Sequence, residues 1–105
     1  MKSYAKGSLP PKVRKSLKKL GEDLRTARLR RNLTVANIAE RAGLSPGTVL
    51  RLEKGDPGVG MGTLVLVMWL LGLNERMMQL VDETQDLLGR TLESECRRKR
   101  ARSPR

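Results

Sequence analysis

The side chains of this chain are poor in reactive groups and rich in charge. It has no His, so the usual catalytic base and the commonest metal ligand are missing. No Gly-rich loop with a Lys-Ser/Thr pair stands ready to cradle a phosphate, and no nucleophile–base set can be assembled. The single Cys96 cannot form an intrachain disulfide and reads as an incidental residue of a polar tail. With no signal peptide, the chain is expected in a reducing cytoplasm. Enzymatic activity, cofactors and metals are therefore not expected. The residues offer binding instead. There are 22 Lys and Arg against 11 Asp and Glu, a net charge of +11. Such a surface attracts a polyanion, either nucleic acid or a membrane face. The apolar run Leu64–Leu73 is too short to span a bilayer.

The elements that must position this charge lie in Leu33–Gly55, LTVANIAERAGLSPGTVLRLEKG. Thr34 can cap a short helix by accepting a free amide of its first turn. Ile38, Ala39 and Ala42 give that helix an apolar face. Gly43 supplies the positive φ of a tight turn. Ser45 caps a second helix, and Pro46 fits its first position, where no amide hydrogen is needed. Val49 and Leu52 are three apart and face the same way, and Gly55 ends the helix as a left-handed cap. This is the pattern of a helix-turn-helix, whose second helix ordinarily enters the major groove of DNA. It decides between the two polyanions in favour of nucleic acid.

The same stretch resembles the Cro/cI-type (XRE) helix-turn-helix family, through Ala39, Ala42, Gly43, Leu44, Ser45, Thr48, Val49, Leu52, Glu53 and Gly55. With its flanks the resemblance takes in residues 14–73. A second segment, Gly55, Asp56, Pro57, Val59, Gly62, Thr63 and Leu64, is similar to a narrower branch. That branch holds the HipB-like antitoxins encoded beside HipA-type Ser/Thr kinase toxins. The resemblance implies an all-α, five-helix, lambda-repressor-like domain with flexible basic tails. It implies a homodimer on a palindromic operator in double-stranded DNA, since one recognition helix alone reads few bases. It further implies a repressor of its own operon that also binds the kinase. An XRE repressor with no toxin partner shares the same DNA chemistry, and an RNA-binding use of the fold is a third reading.

The family's base-reading positions fall here on Pro46, Gly47 and Thr48, with Arg51 one turn later. Pro46 and Gly47 bring no side-chain donor or acceptor. Arg51 is then the main reader, because a guanidinium can pair at two points with guanine O6 and N7. Thr48 can meet a thymine methyl or a phosphate, and Ser45 combines capping with a phosphate contact. Val35 stands where phage repressors usually carry a phosphate-holding Gln. Lys54, Arg41 and Arg30 or Arg31 are candidates to compensate. Asp56 would repel phosphate unless it turns back to cap or pair. Arg28 and Glu53 match a family Arg–Glu pair, expected as a partly buried structural salt bridge.

Three further stretches complete the domain expected over residues 13–82. Val13–Arg31 carries Val13, Leu17, Leu20 and Leu24 at helical steps, and Asn32 can cap its end. Gly21 leaves two readings, one long helix or a break before a helix starting at Glu22. A helix from about Met61–Thr63, apolar almost all round, is expected as the core helix and ends at Gly72. Trp69 on it is expected in the core or in a dimer interface. A fifth helix follows, capped by Asn74, from Glu75 to about Val81. Residues 1–12 read as an arm, either a solvated terminus or a basic strand on DNA. Residues 83–105 read as a charged extension. In it Leu87, Leu88 and Leu92 form a short amphipathic segment interrupted by Gly89, and the end from Glu93 onward is expected to be disordered.

Overall fold

The computed structural model describes residues 8–102. Six α-helices run α1 Pro11–Arg30, α2 Val35–Ala42, α3 Pro46–Glu53, α4 Met61–Leu70, α5 Asn74–Met78 and α6 Leu87–Arg102. A 3-10 turn, Glu83–Gln85, precedes α6. The all-α expectation holds, with one helix more than the five the sequence suggests. The chain forms two compact units, one through Asn74 and one from Glu75.

In the first unit α3 packs on both α1 and α2, and α2 also packs on α4. The core is aliphatic, as the lack of Phe requires: Leu24, Ile38, Ala39, Val49, Leu52, Val67, Met68 and Leu71. Ile38 and Val49 are the largest fully buried side chains. Each such side chain is worth about 1.5–3 kcal/mol relative to exposure. The helices stop by a shared device. Asn32, Gly43, Gly55 and Gly72 follow α1 to α4 with φ of 53°, 67°, 76° and 77°. In each case the next amide reaches back into the last turn, as Leu33 N–H to Arg28 O at 3.2 Å and Asp56 N–H to Arg51 O at 3.1 Å. These bonds satisfy carbonyls that the helix ends would leave open. Thr34 caps α2 as expected. Asn37 completes a reciprocal capping box, its side chain accepting the Thr34 N–H at 2.9 Å.

Gly21 does not break α1, which runs unbroken through it. Its role lies in packing. A Cβ on Gly21 would stand 2.5 Å from the Glu53 carbonyl oxygen and 2.8 Å from the Gly55 nitrogen. A Cβ on Gly55 would stand 2.6 Å from the Leu17 carbonyl carbon and oxygen. The backbone of α1 and the end of α3 touch, and two glycines make the room. Gly21, Leu24 and Arg28 are the buried residues of α1, at i, i+3 and i+7 on one face.

Arg28 holds this crossing. Its Nε donates to Glu53 Oε2 at 2.7 Å and its Nη2 to Oε1 at 2.9 Å. Its Nη1 donates to the Leu33 carbonyl at 2.9 Å. The expected salt bridge is present but more deeply buried than the sequence suggests, with side chains only 9% and 8% exposed. The Glu53 hydrogen bonds raise the Arg28 pKa, against a desolvation that opposes them. Among the described residues no buried side-chain polar atom lacks a partner.

Several expectations change. Trp69 is 60% exposed, so within one chain it is not a core residue, and α4 buries only Val67 and Met68 fully. The residues Glu93–Arg102, expected to be disordered, continue α6, as does Gly89. The reason is local. Asp86 Oδ1 caps the helix by accepting the Gly89 N–H at 2.9 Å, and Glu93 pairs with Arg97 one turn on at 2.6 Å. The fifth helix runs Asn74–Met78, shorter than expected and including Asn74. The arm expected at residues 1–12 lies largely outside the described residues, and its last two, Pro11 and Lys12, belong to α1.

Two measurements test this packing. Gly21→Ala should destabilise the domain by about 1–3 kcal/mol in chemical denaturation, although Ala is the better helix former. A gain in stability would show that α1 and α3 are not in backbone contact. Glu53→Ala should cost about 3–5 kcal/mol, because it leaves a buried guanidinium uncompensated. In a cycle with Arg28→Ala the double variant should lose far less than the sum of the singles. Strict additivity would mean that the two side chains do not act together.

Candidate nucleic-acid interface

The turn and α3 are built as the sequence predicts. Gly43 takes φ 67°, Leu44 N–H reaches Ala39 O at 2.9 Å, and Ser45 opens α3 in extended conformation. Ser45 Oγ accepts the Thr48 N–H at 3.2 Å and shares a second hydrogen bond with Thr48 Oγ1 at 2.9 Å. The Thr48 hydroxyl is thereby tied to the cap. Val49 and Leu52 are buried beneath the helix. Their burial fixes which side of α3 faces outward. Gly47, Leu50, Arg51 and Lys54 form that exposed side at i, i+3, i+4 and i+7. A Cβ on Gly47 would meet nothing nearer than Ser45 Oγ at 3.9 Å, so packing does not require glycine there. Leu50, exposed between Gly47 and Arg51, is a residue that sequence reasoning passed over.

Arg51 is anchored at one edge. Its Nε donates to Asp56 Oδ2 at 2.9 Å, while Asp56 Oδ1 accepts the Gly58 N–H at 2.7 Å. Asp56 thus both caps and pairs, the condition the sequence set for it. Around this pair Arg14, Lys18, Arg51 and Lys54 line a shallow hollow with Gly55, Asp56 and Pro57. Arg14 and Lys18 were not singled out from sequence. They are 33 or more residues from Arg51 and Lys54, and only the α1–α3 crossing brings the four together.

The other basic candidates are not brought to this hollow. Arg31 follows the last residue of α1, about 25 Å from Arg14 at 1.5 Å rise per residue. Its Nη1 donates to the Ala27 carbonyl at 2.7 Å, closing the end of its own helix. Arg41 is exposed in the last turn of α2. Arg28 and Glu53 are turned into the protein and away from any ligand. Among the described residues no group of His, Cys, Asp and Glu is arranged to hold a metal, and no helix is long and apolar enough to cross a membrane.

No curated protein and no solved structure matches the chain at a significant level. A family model described as a helix-turn-helix domain matches residues 19–81, which is more than half of the 105-residue chain and includes α2, the turn and α3 entire. An all-helical domain of the lambda-repressor type, with its second turn-linked helix capped, backed and exposed as described, fits that match, and the chain belongs to the helix-turn-helix domain family.

Proposed function

We propose that this protein is a sequence-specific transcriptional repressor that binds a palindromic site in duplex DNA as a homodimer. The observation that carries the reading is the outward face of α3. Its inner residues are buried, its entry is capped by Ser45, and its outer face offers Arg51 and Lys54 around a side-chain-free Gly47. Gly47 lets the helix backbone come close to the groove floor. Arg51 reads guanine, and Thr48 and Leu50 offer apolar contact to thymine methyls. Lys54, Arg14 and Lys18 neutralise phosphates beside the groove, and Ser45, Arg41 and Arg31 add backbone contacts along the edge. The DNA-binding domain spans residues 13–82. A second copy would cover α4, where exposed Trp69 lies on one helical face with half-buried Val65 and Leu66.

A finer reading makes the protein a HipB-like antitoxin that also restrains a HipA-type kinase. It is supported by the resemblance of Gly55–Leu64 and by α6, where Leu87, Leu88 and Leu92 are exposed on an otherwise charged helix. An apolar stripe of this kind suits a helix that docks in a partner's groove.

Duplexes recovered by selection from random sequence test the DNA reading. Log affinity should fall with log salt at a slope of roughly −5 to −9, as expected if a dimer neutralises about 6–10 phosphates. Arg51→Ala should cost about 1–3 kcal/mol on the selected duplex and much less on random duplex. Equal losses on both would make Arg51 a phosphate contact. For the antitoxin reading, a chain lacking residues 84–105 should no longer co-purify with a kinase encoded beside it, yet still bind duplex DNA. If the full-length chain retains no kinase, the repressor stands without a toxin partner.

A further inference from the structure

Pro46 and Gly47 bring no hydrogen-bonding side chain to the reading face, so discrimination by α3 falls largely on one residue, Arg51. A long side chain on an exposed helix face has many rotamers, and each one lost on binding weakens the contact. In this structure one orientation of Arg51 has a partner of opposite charge. Asp56 Oδ2 accepts from Nε at 2.9 Å, and Asp56 is itself fixed through Oδ1 on the Gly58 N–H at 2.7 Å. The carboxylate on the loop after α3 is thus engaged at both oxygens, and the guanidinium meets it by its Nε edge. None of the Nη hydrogens bonds Asp56, in contrast to Arg28, which engages Glu53 through Nε and Nη2 together. The Nη edge is the pair of donors that can match guanine O6 and N7.

We propose that Asp56 is a positioning residue for DNA recognition: it holds Arg51 by Nε so that its Nη edge is presented to a guanine. The inference rests on the reading of Arg51 given under Proposed function. It also accounts for a carboxylate beside a hollow otherwise lined by Arg14, Lys18 and Lys54. An acid there lowers affinity for every phosphate, and what it returns is sequence discrimination.

Asp56→Asn separates this role from that of a loop brace. The amide oxygen of Asn can still accept the Gly58 N–H, but its NH2 cannot accept from Arg51 Nε. Base preferences would be recovered from a random duplex pool for the wild type, Arg51→Ala, Asp56→Asn, Asp56→Ala and the Arg51→Ala/Asp56→Asn double variant. Affinity for random duplex and Tm would be measured alongside. Arg51→Ala should erase a guanine preference at one position of each half-site. Asp56→Asn should weaken the preference at that same position by about tenfold, within the range of one bidentate contact. Its Tm should be unchanged, and it should bind random duplex as well as the wild type or better. In the Arg51→Ala background it should change no preference further. If Asp56→Asn keeps the wild-type preference and only tightens binding everywhere, Asp56 is a repulsive group and the inference is overturned. It is equally overturned if Asp56→Ala loses the preference while Asp56→Asn keeps it, because Asp56 then acts through the loop alone. If Arg51→Ala keeps every preference, the reading of Arg51 itself fails, and the inference falls with it.

Discussion

The outward face of α3 depends on one buried guanidinium. Arg28 joins three separate parts of the chain: its own helix α1, the loop into α2 through the Leu33 carbonyl, and the end of α3 through Glu53. Both charges are almost wholly withdrawn from water, which costs several kcal/mol per ion unless the geometry is complete. Here it is complete, with three donors on three acceptors. Glu53 stands as the last residue of α3, where the negative end of the helix dipole disfavours a carboxylate. Arg28 offsets that as well. Fixing the end of α3 against α1 fixes the direction of its outward face, and the exposed Gly47, Leu50, Arg51 and Lys54 inherit their positions from there.

The pair can reach this depth because the backbones beneath it are in contact. Gly21 on α1 and Gly55 after α3 each leave the space that a Cβ would fill. Their lack of side chains brings Leu17 and Lys18 beside the loop after α3. The basic hollow is a consequence of the same contact, since Lys18 and Arg14, one turn apart, then stand next to Lys54 and Arg51. Close packing and the placement of charge are thus two results of one crossing.

The first unit leaves some of its apolar surface uncovered. On α4, Trp69 and Met61 are exposed, although the helix carries no charged residue. On α6 the situation differs. That helix has no buried residue among those described and is held by its own cap and side-chain pairs. Isolated helices of its length are marginal in water.

Most of what depends on near neighbours in the first unit was legible from the residues alone, whereas α6, held by the local cap at Asp86 and the Glu93–Arg97 pair, was not. The caps at Thr34 and Ser45, the turn at Gly43, the stop at Gly55, the buried pair Val49 and Leu52 and the outward Arg51 follow from spacings of three or four. Such spacings act within a turn of helix, where geometry is nearly fixed. Gly21 was ambiguous because helix propensity reports only its local cost, while its reason lies at Glu53. Trp69 was open for the same cause: apolarity marks a residue for burial without saying whether its own chain supplies the cover. Asp56 was left conditional on a partner, which the folded loop supplied in Arg51. The depth of the Arg28–Glu53 pair, and the meeting of Arg14 and Lys18 with Arg51 and Lys54, were decided only in three dimensions. They depend on how far apart two helix axes lie, and a sequence states that distance only through the small residues that happen to fall at the crossing.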